Sequence, residues 1–181
     1  MSVLAERVLA IHDALDAGRI PHAFGGALAY AYCADEPRGT RDIDINVFLA
    51  PGHVDRVMQA MPPPVTITQD NVRQVRSDGQ TRLDWDGTPV DLFFDVHDFH
   101  REAAGGVRTV AFEARTIPVL GCGALVVFKA MFNRTRDWAD IEAMLEARTF
   151  DPIEARVTLE RLLGPTDEAV VRLAALTDAR S

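Results

Sequence analysis

The chain has 181 residues, of which 48% are hydrophobic and 25% are charged, and this composition is that of an ordinary globular domain with one sizeable core. The formal net charge of −8 excludes a protein that binds nucleic acid over its whole surface, because such binding needs clustered lysine and arginine. No apolar segment approaches the roughly 20 residues that a membrane span requires, so we expect a cytoplasmic protein with no membrane partner.

The first thirty residues predict a helix, a short strand and a second helix. Apolar residues recur at helical spacing over residues 3–17, and Gly18 ends this predicted helix. An extended stretch at 20–24 runs into Gly25 and Gly26. The alanine-rich segment that follows the glycine pair is predicted to be a buried helix, because alanine favours helices over strands.

Residues 41–49 have the alternation of a half-buried strand. Asp42 and Asp44 are separated by an isoleucine, and side chains at every second position of a strand point to the same face. The two carboxylates are therefore expected to share one face. Pro51 opens a predicted helix that runs to Ala60.

The remainder of the chain predicts further strands and then helices. Turn signals separate short apolar stretches in the middle, which predicts an antiparallel meander with strands at 65–69, 72–76, 81–85, 89–96 and 107–112. From residue 124 the pattern becomes helical, with predicted helices at 124–133, 136–147, 152–163 and 166–178.

These elements predict an α+β fold, a mixed sheet flanked by helices with a helical C-terminal part. We expect a single domain over residues 1–181, with a sheet-containing part at 1–120 and a helical part at 121–181. The two cysteines, Cys33 and Cys122, are too few for a disulfide framework, and neither belongs to a CxxC pair. We therefore expect both to be small residues of the core.

A glycine pair and three aspartates form the first motif that points to chemistry. Gly25 and Gly26 precede a helix, where the backbone can approach a triphosphate closely. Asp42 and Asp44 can bind the same or adjacent divalent cations, since hard Mg²⁺ prefers carboxylate oxygens. Asp91 lies on a later strand that can pair beside them and complete the metal site.

A lone lysine begins the second motif. Lys129 is the single lysine among 19 basic residues, which indicates a role that arginine performs poorly. It stands in an apolar stretch, where a charge usually has a partner. The charged residues Arg134, Arg136, Asp137 and Asp140 follow it, and on a helix Arg134 and Asp137 lie on one face.

Together the two motifs resemble the nucleotidyltransferase superfamily over residues 20–146, and within it the AbiEii-like (MenT-like) toxins. The resemblance implies transfer of a nucleoside monophosphate from an NTP to an acceptor, with two Mg²⁺ ions held by Asp42, Asp44 and Asp91. It further implies a toxin of a toxin–antitoxin pair, with a cognate antitoxin as partner and the 3′ end of tRNA as acceptor. The catalytic residues that it implies are Asp42, Asp44, Asp91, Lys129 and, just after the lysine, Asp137 or Asp140.

The glycine motif departs from the pattern of this family. Many members have Gly-Ser, whose hydroxyl holds a phosphate, whereas this chain has Gly26 in place of the serine. The phosphate contact is then expected from the backbone or from Thr40. The expected nucleotide-binding residues are Gly25, Gly26, Arg38, Thr40 and Lys129.

Three alternatives remain open from the sequence. The acceptor can be a small molecule such as an aminoglycoside, which suits an acidic surface, or a protein side chain. The chain can also be a nucleotide-binding regulatory domain without turnover. A tRNA acceptor is compatible with the negative total charge if a local groove is lined by Arg73, Arg76, Arg82, Arg134 and Arg136.

For several other polar and aromatic residues, a structural role is favoured over a functional one. The string His97, Asp98 and His100 can bind a transition metal, but histidines at a strand end are more often solvated. Asp95 shares a face with Asp91 and can replace it if the register is shifted. We expect Trp85 and Trp138 to belong to the core, and Asp84 and Asp86 to be turn residues.

Overall fold

The structure is a computed structural model that describes residues 2–34 and 39–178. Its strands are β1 (His22–Phe24), β2 (Ile43–Val47), β3 (Gln80–Trp85), β4 (Thr88–Phe94), β5 (Arg108–Phe112) and β6 (Arg115–Val119). Its helices are α1 (Val3–Ala17), α2 (Gly26–Tyr30), α3 (Val54–Ala60), α4 (Gln69–Asp78), α5 (Asp98–Gly105), α6 (Cys122–Phe132), α7 (Thr135–Glu146), α8 (Pro152–Leu163) and α9 (Glu168–Asp178).

The described residues form two compact units. The first lies within Met1–Leu28 and Gly39–Leu120 and contains the sheet, and the second lies within Ala29–Arg38 and Gly121–Ser181 and is helical. The sequence expectation of a single domain stays a prediction. Within these described residues, no helix is long and apolar enough to span a membrane.

The sheet of the first unit is mixed. Among the described strands its order is β3-β4-β2-β1-β6-β5, with β2 parallel to β4 and β1 parallel to β6. The other three pairings, β1–β2, β3–β4 and β5–β6, are antiparallel. The predicted α+β class with a mixed sheet and flanking helices is confirmed. The antiparallel meander is wrong beyond the β3–β4 pair, because residues 69–78 form a helix and β5 is not a neighbour of β4.

Two predicted strands, at 65–69 and 72–76, are wrong. Residues 69–78 form α4, because Thr68 caps the helix in a capping box with Asn71, and Gly79 ends it in the left-handed conformation. Val72 and Val75 lie three residues apart, the spacing of one helical face, and Val75 is fully buried. This helix lies between β2 and β4 in sequence, so the two strands are joined by a crossover and can run parallel.

Strand β6 and helix α5 were not predicted. The proline at position 118 lowers the strand signal of β6, although β6 pairs along one side with β5 over five residues and meets β1 on the other at a single pair. Helix α5 follows directly after β4 and contains His100. Ile43 and Ile45 on β2 are fully buried in this unit, and so are Val8, Ile11 and Leu15 on α1.

The second unit contains the helices from α6 to α9, close to their predicted bounds. Trp138 on α7 is fully buried, and its indole N–H donates to the Asn133 side chain at 2.7 Å. The guanidinium of Arg172 lies over the Trp138 ring at 4.6 Å. The expectation that Trp85 and Trp138 belong to the core is confirmed, since Trp85 is also buried.

Cys33 and Cys122 are bonded to each other, which the sequence analysis did not predict. Both are buried in the second unit, as expected for core residues, and they form a disulfide across a sequence separation of 89 residues. The carbonyl of Cys33 also accepts a hydrogen bond from Thr149 at 2.6 Å. The disulfide therefore links the segment after α2 to the first residue of α6 within this unit.

We expect the disulfide to stabilise the folded chain. Replacing both cysteines by alanine should lower the free energy of unfolding by about 2–4 kcal/mol, because the unfolded chain loses its long cross-link. The measurement is guanidinium unfolding of wild type and the Cys33→Ala, Cys122→Ala variant, each with and without dithiothreitol. Reductant should lower the guanidinium midpoint of wild type and leave that of the variant unchanged. A wild-type midpoint that does not change with reductant contradicts this expectation.

Candidate active site

Two of the predicted metal ligands are direct neighbours in the sheet. Parallel pairing of β2 with β4 places Asp44 opposite Asp91, and both side chains are half-buried. Asp42 precedes β2 and lies two residues before Asp44, which is the spacing of one strand face. The register places Asp91, rather than Asp95, beside Asp44. The first unit therefore brings carboxylates from two adjacent strands to one region.

The glycine pair packs against the same strand. The amide of Gly25 donates a hydrogen bond to the carbonyl of Asp44 at 2.8 Å, so this amide is engaged within the sheet rather than with a phosphate. A Cβ atom at Gly25 would lie 2.8 Å from Nδ2 of Asn46. Gly26 has a φ of +49°, and a Cβ atom there would overlap the carboxylate of Asp44. Position 26 therefore requires glycine, because the Asp44 carboxylate occupies the space that a Cβ atom would fill.

We expect Gly26→Ala to disturb Asp44 beyond the cost of backbone strain. A matched control is Gly87→Ala, because Gly87 also has a positive φ, of +80°, but a Cβ atom there would have no neighbour from the described residues within 4 Å. Strain alone should cost each variant about 1–2 kcal/mol of folding stability. Gly26→Ala should cost more and should also weaken Mn²⁺ binding.

Denaturant unfolding and titration with Mn²⁺ compare these two glycine variants. Equal losses of stability and unchanged Mn²⁺ binding in both would show that the contact with Asp44 does not require glycine.

Thr40 contacts a carboxylate in this structure. Its hydroxyl donates to Oδ1 of Asp42 and lies 3.2 Å from the Asp42 carbonyl, and the amide of Asp42 lies 3.3 Å from the same hydroxyl. Thr40 therefore orients Asp42 next to the start of β2, and its predicted contact with a phosphate stays a prediction. Arg38, the other predicted nucleotide-binding residue before the aspartates, lies outside the described residues.

Arg82, which the sequence analysis expected in an acceptor groove, pairs with Asp91 in this structure. Arg82 on β3 stands opposite Asp91 in the antiparallel register, and its Nε and Nη2 donate to the two carboxylate oxygens at 2.7 Å each. Asp91, through hydrogen bonds and charge, raises the pKa of the Arg82 guanidinium, and the charges of Asp42 and Asp44 act in the same direction. The available signal was the predicted strand at 81–85 immediately before that of Asp91.

Lys129 belongs to a buried ionic cluster in the second unit. Its side chain is 6% exposed, and its ammonium lies 2.5 Å from Asp140 Oδ2 and 3.5 Å from Asp137 Oδ1. The ammonium also lies 5.8 Å from the centre of the Tyr30 ring. The expectation that a lysine in so apolar a stretch has a partner is confirmed, because α6 and α7 bring both carboxylates to it.

Arg134 completes this cluster on the side of Asp137. Its Nε and Nη2 donate to the two Asp137 oxygens at 2.6 and 3.2 Å, as the helical spacing predicted. Burial alone raises the pKa of Asp137, but the hydrogen bonds from Arg134 and the charge of Lys129 outweigh it and leave the pKa below its ordinary value. Asp137 is therefore held as a carboxylate although it is only 1% exposed.

The histidine string lies at the start of α5. His97 and Asp98 are exposed, whereas His100 is buried, and burial lowers the pKa of His100. The expectation that these histidines are solvated is therefore wrong for His100, because His100 lies on the buried face of α5. In the part of the chain that the structure describes, no group of three metal-ligating side chains is found, here or elsewhere.

Four of the five arginines expected to line an acceptor groove pair with acidic residues. In the first unit Arg73 pairs with Asp70, and Arg76 pairs with Asp55 at 2.7 Å. Arg82 and Arg134 pair with Asp91 and Asp137, as described above, and Arg136 is exposed on α7. Much of the positive charge of these side chains is therefore balanced locally.

No protein-family model matches this sequence, and no curated protein matches it. Several solved structures do match. The antibiotic-resistance factor ANT(2″)-Ia in solution aligns with a TM-score of 0.59 at 12% identity, over 98% of this chain and 96% of its own. A crystal structure of ANT(2″)-Ia with adenylyl-2″-tobramycin aligns with a TM-score of 0.55 at 14% identity, over 99% of this chain and 100% of its own.

A further similar structure is the lincosamide antibiotic adenylyltransferase LnuA with lincomycin bound. It aligns with a TM-score of 0.53 at 14% identity, over 77% of this chain and 94% of its own. Likenesses at such low identity establish a shared fold. The chain therefore has a nucleotidyltransferase-like fold.

Proposed function

We propose that this protein is a metal-dependent nucleotidyltransferase that moves a nucleoside monophosphate from an NTP to an acceptor hydroxyl. The observation that carries the proposal is the pairing of Asp44 with Asp91 on adjacent parallel strands, with Asp42 two residues before Asp44. The fold shared with adenylyltransferases supports it.

The chemistry of the donor set suits two Mg²⁺ ions, although the described side chains are not gathered into a metal-ligating group in this structure. Asp42, Asp44 and Asp91 offer carboxylate oxygens, which are the ligands that hard divalent cations prefer, and they come from neighbouring positions of one sheet. Bound Mg²⁺ would neutralise charge on the transferred phosphate and the departing pyrophosphate. Asp42 and Asp44 would hold both ions, and Asp91 would complete the site.

The remaining residues of the first unit would position the reactants. Asp91 would accept the proton of the acceptor hydroxyl while the oxygen of that hydroxyl bonds to the α-phosphorus and pyrophosphate leaves. Thr40 would keep the Asp42 carboxylate in place through its hydrogen bond. Gly26 would leave room for the Asp44 carboxylate itself, since a Cβ atom at this position would overlap it.

The proposed role of Lys129 needs a condition. Its ammonium donates to Asp140 and is buried, so contact with a triphosphate requires that it be shared with these carboxylates. We propose that Asp137 and Asp140 set the position of the Lys129 ammonium within the second unit.

Two acceptors are proposed in turn. The resemblance to AbiEii-like toxins supports a toxin that acts on the 3′ end of tRNA and is controlled by an antitoxin. The local pairing of Arg73, Arg76 and Arg134 with carboxylates instead favours a small cationic acceptor of the aminoglycoside type, because a phosphate backbone needs accessible positive charge. The adenylyl-2″-tobramycin complex of ANT(2″)-Ia supports the same class.

The test is transfer of label from each α-³²P-labelled NTP in the presence of Mg²⁺. Total tRNA, a panel of aminoglycosides and a protein extract serve as separate acceptors. Labelled tRNA would support the toxin, and a labelled aminoglycoside would support the second candidate. NTP binding without transfer to any acceptor would contradict the enzyme and favour a regulatory domain.

A further inference from the structure

The guanidinium of Arg82 pairs with Asp91, the third carboxylate of the proposed metal site. Arg82 meets Asp91 side-on, with one hydrogen bond of 2.7 Å to each oxygen. The Asp91 side chain is 14% exposed, whereas that of Arg82 is 64% exposed. The carboxylate is thus held in the sheet, while the guanidinium reaches it from the solvent side of the edge strand.

The charges around Arg82 indicate what it balances. Asp42, Asp44 and Asp91 all attract the guanidinium, and Asp91 is the nearest of them. Carboxylates at neighbouring positions of a sheet repel one another, and a cation beside them lowers that repulsion. The Arg82 side chain supplies this positive charge.

We propose that Arg82 is an internal counter-ion that competes with a divalent cation for Asp91. This inference rests on the proposed function, because it takes Asp91 as a metal ligand. The side-on guanidinium uses both oxygens of Asp91, so a cation that binds this carboxylate on the same edge breaks at least one of the two hydrogen bonds. The charge of Arg82 also repels the incoming cation.

Release of Arg82 is feasible because the side chain is largely solvent-exposed. Water can hydrate the guanidinium when it leaves, so the cost is that of a half-exposed ion pair rather than of a buried one. Arg82 is therefore a positioning residue: it holds Asp91 in place until metal replaces it and sets how tightly metal binds before nucleotide arrives.

The test measures metal affinity in the absence of nucleotide and of turnover. Mn²⁺ binding is followed by electron paramagnetic resonance for wild type, Arg82→Gln and Arg82→Lys. The control is Arg115→Gln, because Arg115, on strand β6 of the same sheet, also makes a bidentate pair with an aspartate, Asp13 on α1. It removes the same charge without touching the three carboxylates.

Arg82→Gln should bind Mn²⁺ roughly three- to tenfold more tightly than wild type, the range expected when a half-exposed bidentate pair no longer has to be broken. Arg82→Lys keeps the positive charge but loses the two parallel hydrogen bonds of the guanidinium, so its affinity for Mn²⁺ should fall between those of wild type and Arg82→Gln. The affinity of Arg115→Gln should resemble that of wild type. Unchanged or weaker binding in Arg82→Gln overturns the inference, as does an equal gain in Arg115→Gln.

The same titration separates this inference from the proposed function. If wild type binds Mn²⁺ in a manner lost in Asp44→Asn, but Arg82→Gln gives no gain, only the competition is wrong. If neither wild type nor either Arg82 variant binds Mn²⁺, with folding confirmed by circular dichroism, the metal site and the competition both fail.

Discussion

Asp44→Asn is expected to lower nucleotide transfer by at least about three orders of magnitude while leaving the fold intact, because metal ligation supplies several kcal/mol of transition-state stabilisation. Asp44 is half-buried at the centre of the proposed site, next to Asp91 in the sheet. The amide nearly matches the carboxylate in shape, so packing is retained while the charge that holds the cations is lost. Asp42→Asn should behave in the same way.

The matched control is Asp95→Asn. Asp95 follows β4 four residues after Asp91 and pairs with Arg101 at 3.4 Å, so the variant removes one carboxylate of the same strand region. Single-turnover transfer at saturating NTP and Mg²⁺, with circular dichroism as the folding check, compares the three variants. Wild-type rates in Asp44→Asn, or an equal loss in Asp95→Asn, would remove Asp44 from its proposed role.

Lys129→Met is expected to lower the free energy of unfolding by about 3–5 kcal/mol, because it leaves a buried carboxylate cluster without its central cation. Asp137 and Asp140 are both buried, and the 2.5 Å contact of Lys129 with Asp140 is replaced by a methyl group. The double variant Lys129→Met, Asp140→Leu removes charge of both signs and should recover part of the loss. Guanidinium unfolding measures each variant.

Arg134→Met is the control for Lys129, since Arg134 contacts the same Asp137 but is 53% exposed, and its loss should cost at most about 1 kcal/mol. Equal losses for Lys129→Met and Arg134→Met would show that burial of the lysine does not matter.

Lys129→Arg tests the role at the triphosphate that the resemblance implies for Lys129. A folded variant should transfer the nucleotide on the order of a hundredfold more slowly, because a guanidinium would misplace the phosphates. Near-normal transfer by that variant would show that a compact ammonium is not needed.

Periodicity predicted most of this fold. The spacing of Val8, Ile11 and Leu15 gives α1 its buried face, and the alternation about Asp42 and Asp44 gives β2. It failed at α4, where Val72 and Val75 lie in a segment too polar and short to separate helix from strand. There the decision comes from the capping box of Thr68 and Asn71, a local hydrogen-bond pattern that hydrophobicity does not report.

Most contacts between distant residues could not be predicted from the sequence. Asp91 was placed beside Asp44 correctly, because both lie in apolar strands with an acidic residue on one face. Arg82 was expected in an acceptor groove, and its partner became clear only from the register of β3 with β4. The disulfide of Cys33 with Cys122 depends on how α6 meets the segment after α2, which no local pattern encodes.

The central claim is that Asp42, Asp44 and Asp91 together hold two divalent cations at the phosphates of an NTP. The most direct measurement is anomalous diffraction at the manganese edge from crystals grown with Mn²⁺ and a non-hydrolysable NTP analogue. We predict two manganese peaks, both within coordination distance of Asp42 and Asp44 and one also within reach of Asp91. Peaks remote from these carboxylates, or a bound analogue with no manganese beside them, would contradict the account.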